Sequence, residues 1–436
     1  MKKGEHAVKR RSIILSCLLL AALLLLVGCS GAPEREAAAA VEPTEAWRVV
    51  VASDLHYLAP SLTDHGAIFW HMMEAGDGKV TELCDEITDA FLEEVESLRP
   101  DALILTGDIS FNGERESHLA LAEKLASLEA AGVPVLVLPG NHDLYRNCYS
   151  FLGDEGEQVE TISAEDFAAI YGAFGFDKAL SRDGDSLSYL AQVNDTTRVL
   201  MLDADTPHDF CSLSDKTLSW IERRLSDSAV EGQTVLVACH QNLYKHSMFG
   251  AGYVLGCADE LHALLEKYGA KLMLSGHMHI QHIMTEGGVT EIATSPLTMG
   301  ACQYGLLSSE NGALRYETRP VGVAAWASAR GIDDERLASF AAYAMGRLES
   351  RTRTQAEEQL EARGISTQEA APLVNYACAL NNAYFCGDLS GIPALDPNGE
   401  LLKAWSESGS FFGSYFASLV PEIGQDHTRW ELPGED

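Results

Sequence analysis

Apolar positions recur along this chain in short runs of strand length, separated by stretches with helical spacing. Runs at 48–53, 102–106, 133–138, 198–202, 234–239 and 271–274 are apolar almost throughout, and several end on a polar residue. Such runs predict buried strands. Between them, 82–98, 114–130, 215–225 and 258–267 repeat apolar residues at helical intervals. The alternation predicts α/β layers, with helices packed on sheet faces. Later runs at 279–284, 289–293 and 313–319 read as antiparallel hairpin additions.

Past about residue 325 the pattern becomes wholly helical. Leu337, Phe340, Ala344 and Leu348 form one face, and Leu373, Ala377, Leu380 and Tyr384 a second. Phe412, Tyr415, Phe416 and Leu419 form a third, after the turn signal Asp396-Pro397-Asn398-Gly399. Residues 325–436 therefore read as a helical C-terminal domain whose aromatic faces are core.

The first residues differ from all of this. Lys2, Lys3, Lys9, Arg10 and Arg11 precede an apolar run at 13–27, and 15 residues are too few for a bilayer span. A basic start, a short apolar stretch and small residues predict an export signal over 1–28. Residues 29–46 are rich in Ala, Glu and Pro without apolar period and read as a tether.

The 436 residues allow two or three domains, and 46 % apolar against 22 % charged content permits a sizeable core. Lys plus Arg is 31 against 64 for Asp plus Glu, a formal charge of −33. Removal of 1–28 takes away five cations and one anion, leaving −37. A surface so acidic excludes a dedicated nucleic-acid binder, which needs a basic footprint. Eight of the ten cysteines lie beyond Cys29, with no CxxC pair, so neither a thiolate zinc site nor a disulfide scaffold is indicated.

Five polar clusters stand at the ends of the strand-like runs: Asp54-Leu55-His56, Gly107-Asp108, Gly140-Asn141-His142-Asp143, His240, and Gly276-His277-Met278-His279. Singly, each is an ordinary cap or turn. Together they put metal-capable oxygens and imidazoles at strand end after strand end, where sheets form ligand crevices. Three carboxylates and five imidazoles buried side by side require a counter-cation, because like charges do not all ionise together. Hard oxygens with imidazole and no thiolate suit Mn, Fe, Zn, Co or Ni.

The order D-x-H, G-D, G-N-H-D, H, G-H-x-H resembles the calcineurin-like metallophosphoesterase superfamily, complete here across residues 47–324. The resemblance implies a four-layer α/β/β/α sandwich holding two divalent or mixed-valence transition-metal ions. It implies that Asp54, His56 and His279 hold one metal, that Asp108 bridges, and that Asn141, His240 and His277 hold the other. His142 would be the general acid or a donor to phosphoryl oxygens, and Asp143 would orient it or pin its loop. A metal-bridging hydroxide would be the nucleophile. The single residue between His277 and His279 is expected to place both rings on one side of an extended segment.

Departures narrow the expectation. Phe111 stands where purple acid phosphatases carry a ligand tyrosine, and the arginine-bearing motif of phosphoprotein phosphatases is missing. The remainder resembles the cyclic-nucleotide phosphodiesterase branch. An insertion with Asp64, His65, Phe69, Trp70, Asp77 and Gly78 resembles that of secreted bacterial phosphodiesterase-like proteins, which also carry a helical C-terminal domain. Leu26-Val27-Gly28-Cys29 resembles a lipobox, implying diacylation of Cys29 and anchorage to the outer face of the cell membrane. The expected function is hydrolysis of cyclic nucleotides or similar small diesters, the alternatives being a broad phosphomonoesterase or nucleotidase and an inactive scaffold of the same fold. Of the other histidines, His118 and His262 read as solvent-facing on helices, and His246 as a candidate pocket-lining residue.

Overall fold

A computed structural model describes residues 46–434. The expected export signal, Cys29 and the expected tether up to residue 45 lie outside the described residues. Within them the strands are β1 (Trp47–Ala52), β2 (Ala102–Thr106), β3 (Val135–Leu138), β4 (Ser181–Arg182), β5 (Tyr189–Asn194), β6 (Thr197–Leu202), β7 (Thr234–Cys239), β8 (Leu272–Ser275), β9 (His282–Glu286), β10 (Val289–Ala293), β11 (Gln303–Glu310), β12 (Ala313–Pro320) and β13 (Arg429–Leu432). They form two sheets, of order β13-β12-β11-β1-β2-β3 and β4-β5-β6-β7-β8-β10-β9. Each has a parallel heart, β1-β2-β3 in one and β6-β7-β8-β10 in the other. Antiparallel strands extend both outward.

Strand periodicity explains the layering. Val199 and Met201 of β6, Leu236 and Ala238 of β7, and Leu272 and Leu274 of β8 join the core shared with β1, β2 and β3. Their neighbours Leu200, Leu202, Val235, Val237, Cys239 and Met273 instead pack with Trp220, Ile221 and Leu225 of the helix Asp215–Val230 and Leu261 and Leu265 of the helix Ala258–Tyr268. Against the other sheet lie the helices Cys84–Leu98 and Arg115–Ala130, through Ile87, Phe91, Val95, Leu121 and Leu125. Both sheets are thus covered on both faces, which is why their parallel strands read as continuous apolar runs. The fold is a four-layer α/β/β/α sandwich with a helical C-terminal region.

Two segments differ from the expected pattern. The hairpin strand expected at 279–284 begins only at His282, because His277 and His279 have φ of 69° and 57°. Those residues are not extended. The C-terminal helices Phe340–Glu361, Thr367–Cys386 and Phe411–Ser418 bury the expected faces. Yet the chain then returns as β13, which pairs with β12, Leu314 opposite Leu432 and Tyr316 opposite Trp430. Leu337, Phe340 and Ala344 pack into the same apolar core as β1–β3, whereas Trp405, Phe412 and Phe416 centre a core of their own. All eight cysteines among the described residues are free thiols. No helix among those residues is long and apolar enough to cross a membrane.

Candidate metal centre

Asp54 and His56 follow β1, Asp108 follows β2, Asn141 and His142 follow β3, His240 follows β7, and His277 and His279 follow β8. These loops meet at the carboxyl ends of the parallel strands. Asp54, His56, Asp108, His277 and His279 all take positive φ, between 42° and 69°. Such conformations cost of order 1–3 kcal/mol each and persist only where the surroundings enforce them. Here the backbone N–H of Asp54 donates to the Gly107 carbonyl at 3.1 Å and that of His56 to the Asp108 carbonyl at 3.0 Å. The His277 N–H donates to Asp54 Oδ2 at 3.0 Å and the His142 N–H to Asp108 Oδ1 at 2.7 Å. Two motif glycines are explained by close approach: a Cβ on Gly140 would collide with Asp108 Oδ1, and one on Gly276 with Ser53 Oγ.

The side chains form two adjoining groups. In the first, His56 Nε2 and His279 Nε2 face each other at 3.2 Å. Asp54 Oδ1 lies 3.2 Å from His279 Nε2, and Asp108 Oδ2 lies 3.9 Å from His56 Nε2. In the second, His240 Nε2 is 3.2 Å from Asp108 Oδ2 and 3.2 Å from Asn141 Oδ1. His277 completes it, its ligand atom within 4.8 Å of those of Asp108 and His240. Asp108 belongs to both groups.

Hydrogen-bond accounting shows what such groups fit. His240 Nδ1 donates to the Thr106 carbonyl at 2.9 Å, His277 Nε2 to the Gly252 carbonyl at 2.8 Å, and His279 Nδ1 faces Asp77 Oδ2 at 3.3 Å. Each ring therefore spends its N–H outside the centre and turns a lone pair inward. Inside, acceptors face acceptors. Asp54 Oδ1 is buried and accepts no hydrogen bond. A cation satisfies all of them at once, and oxygen plus imidazole suits a divalent transition metal. Burial acts to lower the His240 pKa, but the carboxylates of Asp108, Asp54 and Asp205 outweigh it and raise it to about 10.

His142 borders the cavity beside this centre, its ring 5.3 Å from that of His56. Its Nδ1 pairs with Asn112 Oδ1 at 3.0 Å. Burial, together with Arg146, Lys79 and His240, lowers its pKa against the pull of Asp108. Of the two roles expected for Asp143, the geometry gives it the second. Its Oδ2 accepts the N–H of Gly140 at 2.8 Å, and its Oδ1 the N–H and hydroxyl of Ser110 at 2.9 and 2.7 Å. It pins two loops together, and Asn112 is the group that orients His142. Burial and Asp108 push the Asp143 carboxyl up to about 7, against those hydrogen bonds.

Several residues lie elsewhere than the sequence suggested. His118 is not solvent-facing but fully buried, with Nε2 on the Asp143 carbonyl at 3.0 Å and Nδ1 on the Tyr171 hydroxyl at 2.9 Å. His262 is half-buried against the Tyr244 hydroxyl at 2.9 Å. Phe111 packs on Phe151, and Phe69 is core. Asp77, noted only as part of the insertion, supports His279. Against the opposing effect of burial, His279 and Lys79 hold its carboxyl well below the usual range. No sequence spacing marks that contact across 202 positions, since nothing in a local motif encodes it.

His246 does not line the cavity. It is buried in a second histidine–carboxylate cluster, with Nε2 2.8 Å from Glu291 Oε2 and Nδ1 3.0 Å from His282 Nδ1. His282 Nε2 then lies 3.1 Å from Glu422 Oε2, to which His427 Nε2 also comes within 3.0 Å. His427 Nδ1 accepts the N–H of Ile283 at 3.3 Å. The rings of His282 and His427 stack, centroids 4.0 Å apart.

An α/β/β/α sandwich gathering Asp, Asn and His at the ends of its parallel strands defines a metal-binding protein of the metallophosphoesterase class. The chain belongs to the calcineurin-like phosphoesterase family, whose model it matches over residues 48–281. A model described as the C-terminal domain of cyclic nucleotide phosphodiesterase matches residues 322–426. The chain is 28 % identical over 209 residues to the 3′,5′-cyclic adenosine monophosphate phosphodiesterase CpdA of Escherichia coli K12, covering 46 % of this chain and 64 % of that protein. It is 23 % identical over 255 residues to a cAMP/cGMP dual specificity phosphodiesterase of Mycobacterium tuberculosis, covering 58 % and 67 %. The match thus spans about two thirds of the length of these relatives or slightly less. Among solved structures, a dimetal phosphatase from Danio rerio superposes at a TM-score of 0.46 and 13 % identity, over 64 % of this chain and 97 % of that one.

Proposed function

We propose that the chain is a two-metal phosphodiesterase acting on 3′,5′-cyclic nucleotides or similar small diesters. The observation that carries this is the sharing of Asp108 by two inward-facing acceptor groups. The family's relatives named as cyclic-nucleotide phosphodiesterases support the substrate class.

In this reading Asp54, His56 and His279 hold one cation, Asn141, His240 and His277 the other, and Asp108 both. When bound, such a pair supplies an activated water and neutralises charge on the phosphoryl oxygens. His142, held at Nδ1 by Asn112, lines the cavity and in its protonated form would deliver a proton to the leaving oxygen, or a hydrogen bond to the phosphoryl group. Asp143 and His118 keep the 140–143 loop in place. Asp77 and the Thr106 carbonyl hold the tautomers of His279 and His240.

The test is metal content of the purified protein with hydrolysis of 2′,3′- and 3′,5′-cyclic nucleotides, bis-p-nitrophenyl phosphate and p-nitrophenyl phosphate under matched metal. Two metals per chain and preference for the diesters are expected. Preference for the monoester would replace this reading with a phosphomonoesterase, and no turnover with any metal would leave an inactive scaffold. The lipobox-like 26–29 segment supports an outward-facing, lipid-anchored location. Cys29→Ala should then shift the protein from the membrane to the soluble fraction.

A further inference from the structure

The cavity beside the metal centre has a volume of about 840 Å³, and most of its far wall comes from the C-terminal helices. A row of aromatic rings leads from the metal ligands to that wall. Tyr253 lies 4.9 Å from the His277 ring, Phe249 lies 6.4 Å from Tyr253, and Phe411 stacks on Phe249 at 6.1 Å and 25°. Phe249 and Phe411 are 39 % and 52 % exposed, unusual for phenylalanines that a core could have covered. Both line the cavity.

Arg351 and Gln355, one turn apart on the helix Phe340–Glu361, line the same cavity. In a chain with 64 acidic residues, a half-buried arginine normally finds a carboxylate. Arg198, Arg224 and Arg353 do so. Arg351 has no ion pair and no hydrogen bond among the described residues, and Gln355 has none either. Two polar groups with unspent donors and two exposed aromatic rings, all lining a cavity that also contains metal ligands, describe half of a binding site.

We infer that this wall is a nucleobase subsite, and that the C-terminal helical region supplies the base specificity of the phosphoesterase centre. The inference rests on the diesterase reading above and names its substrate more closely. A heterocycle suits the surroundings because it offers both a flat face for Phe249 and Phe411 and acceptor-bearing edges for Arg351 and Gln355. Phosphate alone would use neither ring, and a lipid tail would leave both polar groups unpaired.

The experiment compares Phe411→Ala, Phe249→Ala and Arg351→Met with the unaltered chain. Two readouts are taken: the ratio of kcat/KM for 3′,5′-cyclic AMP to that for methyl p-nitrophenyl phosphate, and calorimetric binding of adenosine, which carries no phosphate. Stacking on one aromatic ring predicts a fall of about tenfold in the ratio for each phenylalanine variant, through KM, and a parallel loss of adenosine affinity. Phe411 is exposed enough that its replacement leaves the fold intact, which thermal melting verifies. An unmoved ratio, or adenosine binding equal in all variants, overturns the subsite. Should the unaltered chain hydrolyse neither diester, the diesterase reading fails by itself. Adenosine binding then still decides the subsite, present with the unaltered chain and lost in Phe411→Ala if the inference holds.

Discussion

Two clusters in this molecule are built from the same ingredients, and they differ in where their imidazole protons point. The centre at the strand ends combines Asp54, Asp108 and four histidines, and the cluster around Glu422 combines two carboxylates and three histidines. Distances alone do not separate them, since both put nitrogens and oxygens near 3 Å apart. Proton direction does. In the metal centre each imidazole N–H with a known partner points outward, to Thr106, Gly252 or Asp77. In the second cluster His427 Nδ1 accepts an N–H, so its proton sits on Nε2 and is donated to Glu422. His282 Nε2 lies 3.1 Å from Glu422 Oε2 and His246 Nε2 lies 2.8 Å from Glu291 Oε2, with the Nδ1 atoms of the two rings 3.0 Å apart. These contacts tie the second sheet to the 422–427 segment, and the Ile283 N–H on His427 Nδ1 sets the cluster apart from the centre at the strand ends.

The largest effect expected from breaking this contrast falls on the residue common to both acceptor groups. Asp108→Ala should reduce hydrolysis to background and lower metal content, measured by elemental analysis beside the diester assay. His142→Ala should follow, reducing turnover by about 10²–10⁴-fold with both metals retained. Loss of metal in that variant would show that His142 is a ligand and that the division of roles is wrong. Asp77→Ala comes third. Without the carboxylate that fixes the His279 tautomer, metal affinity or activity should drop by about 10–100-fold, read from titration of the stripped protein with Mn or Zn.

The ranking also separates what was readable in the sequence from what was not. Asp54, His56, Asp108, Asn141, His142, His240, His277 and His279 were legible because each follows an apolar strand run, and a parallel sheet sends all such ends to one edge. The same runs predicted α/β layers, while the four-layer sandwich was implied by the family resemblance. Asp77 was not legible as a ligand support, because it reaches His279 from an insertion with no periodicity of its own. His118 looked exposed by helical spacing, but the 140–143 loop folds over its face of the helix. His246 and His282 carry no mutual signal, since their meeting depends on how the loop after β7 passes β9. β13 escaped notice because a four-residue edge strand half-buries only Trp430 and Leu432, too few to show a period.

The smallest effect, and the sharpest test of the contrast, belongs to Glu422→Gln. His282 and His427 hold the Glu422 carboxyl far below its usual value, against burial. Its contribution to stability is therefore present above the unfolded value near pH 4.3 and fades as pH falls toward the lower folded value. Burial holds His282 down at about 4, although Glu422 pulls it upward. The unfolded chain takes up that proton near pH 6.5 and the folded chain resists, so stability also declines between about pH 6.5 and 4. Replacing the carboxylate by an amide leaves an imidazole N–H without a charged acceptor and should cost about 1–3 kcal/mol at pH 7, with a shallower loss below pH 4.3 in denaturant titrations. Metal content should not move. A cation at this cluster would have to bind His427 through Nε2, driving its proton to Nδ1, directly against the Ile283 N–H. Two donors would then oppose each other in a buried site, and removing Glu422 would release that strain along with the metal. A Glu422→Gln protein with fewer metals per chain than its parent would therefore mean that the donor directions assigned here are reversed, and that both clusters are metal centres.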